Sequence, residues 1–251
     1  MNAKTVEKLC KINSDFYQSH HVSFSATRSS PWPGWKRCLQ HIEQILQGNQ
    51  RSCSVFDLAC GNLRFEVFLD VSFPKDNITY YAVDNCEEII PPDISADYQS
   101  LDILEILQRG QSIGDFIGAP LCDLSVTFGF MHHIPLKSYR EEVLSSLVGQ
   151  TRRGGYVIAS FWQFAKIASM EKKLQAVHER ACQEMGLEGL EDNDYLLGWM
   201  GIPGAYRYCH SFTEAEIDQL IEAVGGSANL VSRFVSDGKT ENQNTYLVLQ
   251  V

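Results

Sequence analysis

Ser54-Val-Phe-Asp-Leu-Ala-Cys-Gly-Asn-Leu-Arg-Phe65 is the stretch that decides the fold. Val55 and Phe56 form a short apolar, β-favouring run, Asp57 ends it with a charge, and the small residues Ala59, Cys60 and Gly61 follow. Beyond the turn, Phe65, Phe68 and Leu69 fall at i, i+3 and i+4, the stripe of a helix laid on a sheet. The reading is strand, tight turn, helix. Such a unit aims backbone N–H groups and a helix N-terminus at one point, where the polar, anionic end of a nucleotide-like ligand is held.

Outward from this stretch, strand and helix patterns alternate, which predicts an α/β fold. Asn77-Ile-Thr-Tyr-Tyr-Ala-Val-Asp84 reads as a second strand ending in an acid. An acid there is placed to accept from both hydroxyls of a ribose, with capping of the next turn as the competing structural role. Residues 94–101 read as a third strand, followed by Asp102 and a short helix that Asp102 is placed to cap. Leu121–Ile134 carries a fourth strand buried on both faces, with Phe128 and Gly129 at its ligand-side turn and His132 and His133 beyond. Adjacent histidines point in different directions, so no shared metal ion is expected. One is expected to pack under the loop and cap the helix starting near Leu136, the other to line the pocket. A helix at about 136–150 leads through Arg152-Arg-Gly-Gly155 into a fifth strand ending at Trp162, with the two arginines at a solvated helix end.

The flanks complete the plan. A first helix spans about residues 3–20, and a Ser/Pro/Gly-rich loop at 20–34 carries Phe24, Arg28 and Trp32. A loop that keeps aromatics is expected to fold over a site. A second helix covers about 35–47, so residues 1–50 form N-terminal helices and a lid, and 51–251 the main domain. Residues at about 163–210 break the alternation: a long helix at about 164–185, an acidic loop, then Asp194–Trp199 and Tyr206–Phe212. Such an insertion is expected to shape a substrate pocket. Thr213 and Glu216 form a capping-box pattern, and two final strands at about 229–236 and 244–250 are expected to pair antiparallel at the sheet edge.

Hydrophobic residues make up 44% of the 251, ample for one large core, and the net charge is −10. That charge argues against a sequence-independent grip on nucleic acid, which rests on neutralising many phosphates. No apolar run approaches membrane-spanning length, and Met1–Glu7 leads into a polar segment, not a signal peptide. The eight cysteines are scattered with no Cys-x-x-Cys, which reads as reduced thiols in a cytoplasmic protein with no metal site.

Asp57-x-Ala-Cys-Gly-Asn62 resembles the first motif of class I S-adenosylmethionine-dependent methyltransferases, an acid followed by Gly-x-Gly-x-Gly. Gly61 keeps the middle glycine, with Ala59 and Leu63 at the outer two positions. The resemblance implies a doubly wound, mostly parallel seven-stranded sheet with an antiparallel last strand, and S-adenosylmethionine as cofactor. It implies that Asp57, Ala59, Cys60, Gly61 and Asn62 hold the donor's amino-acid half and Asp84 its ribose, with Asn85 also in the cofactor site. Asp102 would face the adenine amino group, Ile103 would pack on the ring, and Phe128, Gly129 and His132 would join the cofactor site at the strand edge where ligand and substrate meet.

Three more stretches are similar to the transfer-RNA methyltransferases that esterify a carboxymethyl group on the wobble uridine. They are Phe24-Ser-x-Thr-Arg-x-x-Pro-Trp-Pro33, Asp194-Tyr-Leu-Leu-Gly-Trp199 and Arg207-Tyr-Cys-His-Ser-Phe212, where Cys209 replaces a usual aromatic. A carboxylate is already a nucleophile, so such a site must align it and hold it without quenching it. Arginine's fork suits that task. Arg28, Arg207 and His210 are the candidate catalytic residues, with Tyr206 and Tyr208 as partners for a base. The structural alternatives are a tie from Arg28 to an acidic helix and an Arg207–Asp194 pair. The acidic chain suits a small-molecule acceptor in place of tRNA, and an activating protein partner or an inactive scaffold are further alternatives. Lys36, Arg37, Arg64, Arg152, Arg153 and Arg207 gathered at the pocket mouth would favour RNA; dispersal would favour a small acceptor.

Overall fold

The computed structural model describes residues 1–93, 95–166 and 171–251. In chain order the elements are α1 (Ala3–Ala26), α2 (Pro33–Gly48), β1 (Ser52–Leu58), α3 (Arg64–Ser72), β2 (Asn77–Asp84), β3 (Asp97–Ser100), α4 (Ile103–Gln108) and β4 (Cys122–Thr127). There follow α5 (Lys137–Gly149), β5 (Thr151–Trp162), α6 (Glu171–Met185), β6 (Asp194–Gly198), β7 (Tyr206–His210), α7 (Glu214–Ala223), β8 (Asn229–Ser236) and β9 (Asn244–Gln250).

Seven strands form one sheet in the order β3-β2-β1-β4-β5-β9-β8. The first five run parallel, and β9 is antiparallel to both its neighbours. Strand order reverses between β1 and β4, which opens a crevice at their carboxyl ends. The alternation of side chains along the strands builds one core on each face. Val55, Leu124, Ile158 and Val248 pack against α2 and α3, whereas Phe56, Val157, Leu247 and Leu249 pack against α4, α5 and α7. β6 and β7 form a separate antiparallel hairpin, buried against α6 and against Leu9 and Ile12 of α1. Among the described residues, no helix is long and apolar enough to cross a membrane.

Several boundaries differ from expectation for identifiable reasons. α1 runs on to Ala26, past the expected end near residue 20, because Phe16, His20 and Phe24 continue its inner stripe and stack edge to ring. The expected long loop shrinks to Thr27–Trp32. Arg152 and Arg153 do not end a helix; they lie within β5, at an irregularity in its pairing with β4, and Arg152 pairs with Asp123 at 3.1 Å. Neither histidine caps α5, whose cap residue Leu136 has no side-chain hydrogen bond. The expected helix at 164–185 resolves into a 3-10 turn at Phe164–Lys166 and α6, with 167–170 outside the described residues, as is Ile94 of the third-strand expectation. The capping box is present: Glu216 N–H donates to Thr213 Oγ1, and Thr213 N–H donates to Glu216 Oε2 at 2.8 Å.

Candidate active site

The turn after β1 has an alternating backbone. Ala59, Gly61 and Leu63 all take the left-handed conformation, with φ of 64°, 56° and 53°. These are the three positions where the methyltransferase motif carries glycine, so two L side chains here accept a strain of about 1–2 kcal/mol each. The Leu63 side chain is fully buried and does not line the cavity, so it leaves the ligand face of the turn open. The turn is clipped to β2: Ala59 and Cys60 N–H donate to the Val83 carbonyl at 2.8 and 3.1 Å. Asp84 takes the Gly61 N–H on one carboxylate oxygen (2.9 Å) and the Cys86 N–H on the other (3.0 Å). Each oxygen keeps a lone pair for a hydroxyl. Burial pushes the Asp84 carboxyl up, opposed by those N–H bonds.

Asp102 caps α4 through the Glu105 N–H at 3.0 Å and accepts from Asn85 Nδ2 at 3.1 Å. The capping role is therefore real, and Asp102, Asn85 and Ile103 also line the cavity. Gly129, with φ +74°, holds its N–H on Ser160 Oγ, and a Cβ there would meet Trp32 at 3.0 Å. Trp32 belongs to a short strap that crosses the crevice. Asn62 Nδ2 donates to Ser25 Oγ and Arg64 to the Ser30 carbonyl, both at 2.9 Å. Phe128 packs against Phe65 at 4.7 Å beneath it.

One cavity of about 720 Å³ joins Asp57, Ala59–Asn62, Asp84, Asn85, Asp102, Ile103, Phe128 and Gly129 to a second end holding Arg28, Arg207, His132, Tyr17, Phe24 and Trp162. Arg207 is buried, its Nε has no hydrogen-bond partner, and no carboxylate among the described residues pairs with it. Its guanidinium faces the rings of Phe16, Phe24, Trp162 and Trp199 at 5.4–5.8 Å. Arg28 stacks on Phe24 at 3.4 Å; burial, with the Arg207 charge adding, pulls it down to about 10. Burial likewise pushes Tyr17 up to about 12 against the pull of Arg207.

His133 donates from Nδ1 to the Tyr208 carbonyl at 2.9 Å and accepts the Tyr17 hydroxyl at Nε2 at 2.7 Å. His132 lines the cavity with a partnerless Nδ1, and burial, with His133 and Arg207 beside it, holds it far below the ordinary imidazole range. His132, His133 and Cys209 bring ligand atoms within 4.8 Å of one another. Both nitrogens of His133 are engaged, burial pushes the Cys209 thiol up to about 12, and two guanidiniums flank the cluster. Those conditions disfavour a cation.

His210 is not in the cavity. It is 1% exposed, with Nδ1 on Asp194 at 2.8 Å and Nε2 on Glu216 at 2.9 Å, beside Arg140. That network joins β6, β7, α5 and α7, so His210 is a structural hub and not a catalytic group. Tyr208 donates to Asp194 at 2.7 Å and Tyr206 to Glu184 at 2.6 Å, so neither is a platform for a base. Asp194 is thus committed elsewhere, and the alternative Arg207–Asp194 pair does not form. The candidate RNA-facing cations are dispersed. Arg64 and Arg207 reach the cavity, Arg152 and Arg153 lie at the opposite end of the sheet, and Arg37 stacks on Phe234 beside edge strand β8. Tyr17 and Trp162 also line the second end of the cavity; by sequence pattern both read as ordinary inward residues of their elements.

No family model matches the chain, and no curated protein matches it. Solved structures do. A methyltransferase of Methanosarcina mazei described as SAM-dependent superposes with TM-score 0.58 at 14% identity, covering 82% of this chain and 95% of the other. An S-adenosylmethionine-dependent methyltransferase of Clostridium acetobutylicum gives 0.55 at 12%, covering 95% and 98%. The 1,6-didemethyltoxoflavin-N1-methyltransferase of Burkholderia thailandensis, solved with its acceptor and S-adenosylhomocysteine, gives 0.57 at 15%, covering 94% and 85%. With its seven-stranded sheet, antiparallel β9 and clipped turn, the chain has the fold of class I S-adenosylmethionine-dependent methyltransferases.

Proposed function

We propose that this chain transfers a methyl group from S-adenosylmethionine to the carboxylate of a small planar acceptor. The carrying observation is Arg207: a buried cation with no carboxylate partner, walled by aromatic rings, in the cavity that also holds the glycine turn. A buried cation with no carboxylate partner is poised for an anion from outside, and arginine binds a carboxylate through two parallel N–H bonds.

The turn fits the donor. Its ligand face is backbone, Asp84 keeps acceptor capacity for hydroxyls, and Asp57 Oδ1 is buried without a donor. Asp57 and the Ala59–Asn62 backbone would hold the amino-acid end, Asp84 and Asn85 the ribose, and Asp102 and Ile103 the adenine. Bound there, S-adenosylmethionine supplies an electrophilic methyl group on a sulfonium. Arg207 and Arg28 hold the acceptor carboxylate and fix its orientation, which is most of what an in-line displacement requires. His132 stays neutral and forms part of the wall. The strap Thr27–Trp32 excludes water from the crevice.

The dispersal of Arg152, Arg153 and Arg37 away from the mouth favours a small acceptor over RNA. A wobble carboxymethyluridine in tRNA is the second reading, supported by the convergence of Phe24, Arg28, Trp199 and Arg207 on one place. Radiolabelled methyl transfer to total tRNA and to a small-metabolite extract separates the two. Label confined to the metabolite fraction, and released by mild alkali as an ester would be, is the expected result. Label in tRNA alone would favour the second reading, and alkali-stable label would refute carboxylate methylation.

A further inference from the structure

Asp57 and Glu66 form a buried pair of carboxyls beneath the turn. Asp57 ends β1 at 3% exposure, and Glu66, in the first turn of α3, is fully buried. No other side chain donates to Asp57 Oδ1 or to the Glu66 carboxyl oxygens, and the two carboxyls hydrogen-bond each other. The charged groups that face them are acids: Asp84 on the β2 side of Asp57, and Asp70 one turn along α3 from Glu66. The Cys60 thiol and the Tyr80 hydroxyl complete the surroundings, the latter donating toward the Glu66 carbonyl and to Asp70. Two carboxyls in such a dry place do not both ionise; one keeps its proton and shares it with the other. Burial, with the Glu66 charge adding, pushes Asp57 well above the ordinary carboxylate range, and burial raises Glu66 too. Asp57 lines the cavity and Glu66 does not, so a counter-charge arriving through the cavity meets Asp57.

Resting on the donor assignment proposed above, we infer that the Asp57–Glu66 pair is a proton-linked receptor for the donor's ammonium group, with Glu66 as a positioning residue. The free pair holds one proton and one negative charge. When an ammonium settles beside Asp57, the pair ionises fully and that proton passes to solvent. Binding that releases a proton strengthens as pH rises. Affinity is therefore expected to rise with pH, by up to about tenfold per unit, over the range in which the free pair holds its proton and the bound pair does not.

Calorimetric titration with S-adenosylhomocysteine, which has the same amino-acid end and no methyl group to transfer, tests this in buffers of different ionisation heat. Where its affinity still climbs with pH, the wild type is expected to release up to about one proton per ligand. Glu66→Gln keeps the shape, offers Asp57 an amide N–H and removes both the second carboxyl and its charge. Its proton release per ligand, and the rise of its affinity with pH, should both be clearly smaller than those of the wild type. The ligand's own amine titrates alike with both proteins, so their difference isolates the pair. Infrared difference spectra of the wild type need no variant: the protonated-carboxyl band should vanish on ligand addition. Binding with identical heat in every buffer, or an unchanged band, would overturn the inference and leave the donor assignment standing. No binding at any pH would overturn both.

Discussion

Replacing Arg207 with methionine is expected to stabilise the fold while disabling the acceptor end. Taking a cation out of water costs several kcal/mol even after relaxation. Arg207 has no carboxylate partner to offset that, and one of its N–H groups is left without an acceptor. The compensation comes from four aromatic rings at 5.4–5.8 Å, at about 0.5–1 kcal/mol each. The balance leaves the guanidinium about 1–3 kcal/mol less favourable than an uncharged chain of similar length. Methionine fills the same channel without the charge. For a chain of this size the melting temperature should rise by about 2–4 °C per kcal/mol recovered. The same substitution removes a charged hydrogen-bonding contact to the acceptor, about 1.5–3 kcal/mol, so kcat/KM should fall by about 10–150-fold. Thermal unfolding and a methyl-transfer assay on one preparation read both effects. Arg207→Lys, which keeps the charge and loses the fork, should remain as unstable as wild type and regain only part of the activity. A methionine variant that melts lower and turns over normally would show Arg207 to be a satisfied structural cation and refute the reasoning.

The strained turn, the acid network and His132 give further expectations. Ala59→Gly should stabilise by up to about 1 kcal/mol by relieving a left-handed alanine, whereas Leu63→Gly should destabilise by about 2–3 kcal/mol, because lost burial outweighs relieved strain; chemical denaturation decides both. Burial alone would raise Glu216, but the hydrogen bonds from His210 and from the Thr213 N–H and hydroxyl overcome it and bring it to about 2. A folded-state value below the unfolded one adds stability above about pH 4.5 that is lost as pH falls toward 2. Discounted for its partly exposed side chain, the loss is about 1–2 kcal/mol and should be absent from acid titrations of Glu216→Gln. His132 is held neutral, so kcat at saturating donor should show no histidine inflection between about pH 6 and 9. A kcat that drops on a single pKa near 6.5 would mean His132 titrates in the open.

The strand–turn–helix unit was legible because its causes are local: β-favouring residues, small residues at the turn, a helical stripe after it. The acid at residue 84 was legible for the same reason. Strand alternation also held information that the motif reading passed over. Arg207 and Cys209 fall on one face of β7, and Tyr206, Tyr208 and His210 on the other, so His210 could not share the arginine's side. The loop position of Arg28 is legible, but the length of the first helix is not: His20-His21 interrupts the apolar pattern, whereas the helix continues to Ala26 on aromatic packing. Glu66 was not legible: a charged residue in the first turn of a short helix reads as a solvated partner of the helix dipole, and only packing against Asp57 shows otherwise.

The most direct measurement is a crystal structure grown with S-adenosylhomocysteine. Density for the ligand should lie along the Ala59–Leu63 backbone, with its ribose hydroxyls on Asp84 and its ammonium beside Asp57. An unfilled crevice at saturating ligand, or a ligand bound with Asp84 turned away, would contradict the assignment of this turn as the donor site.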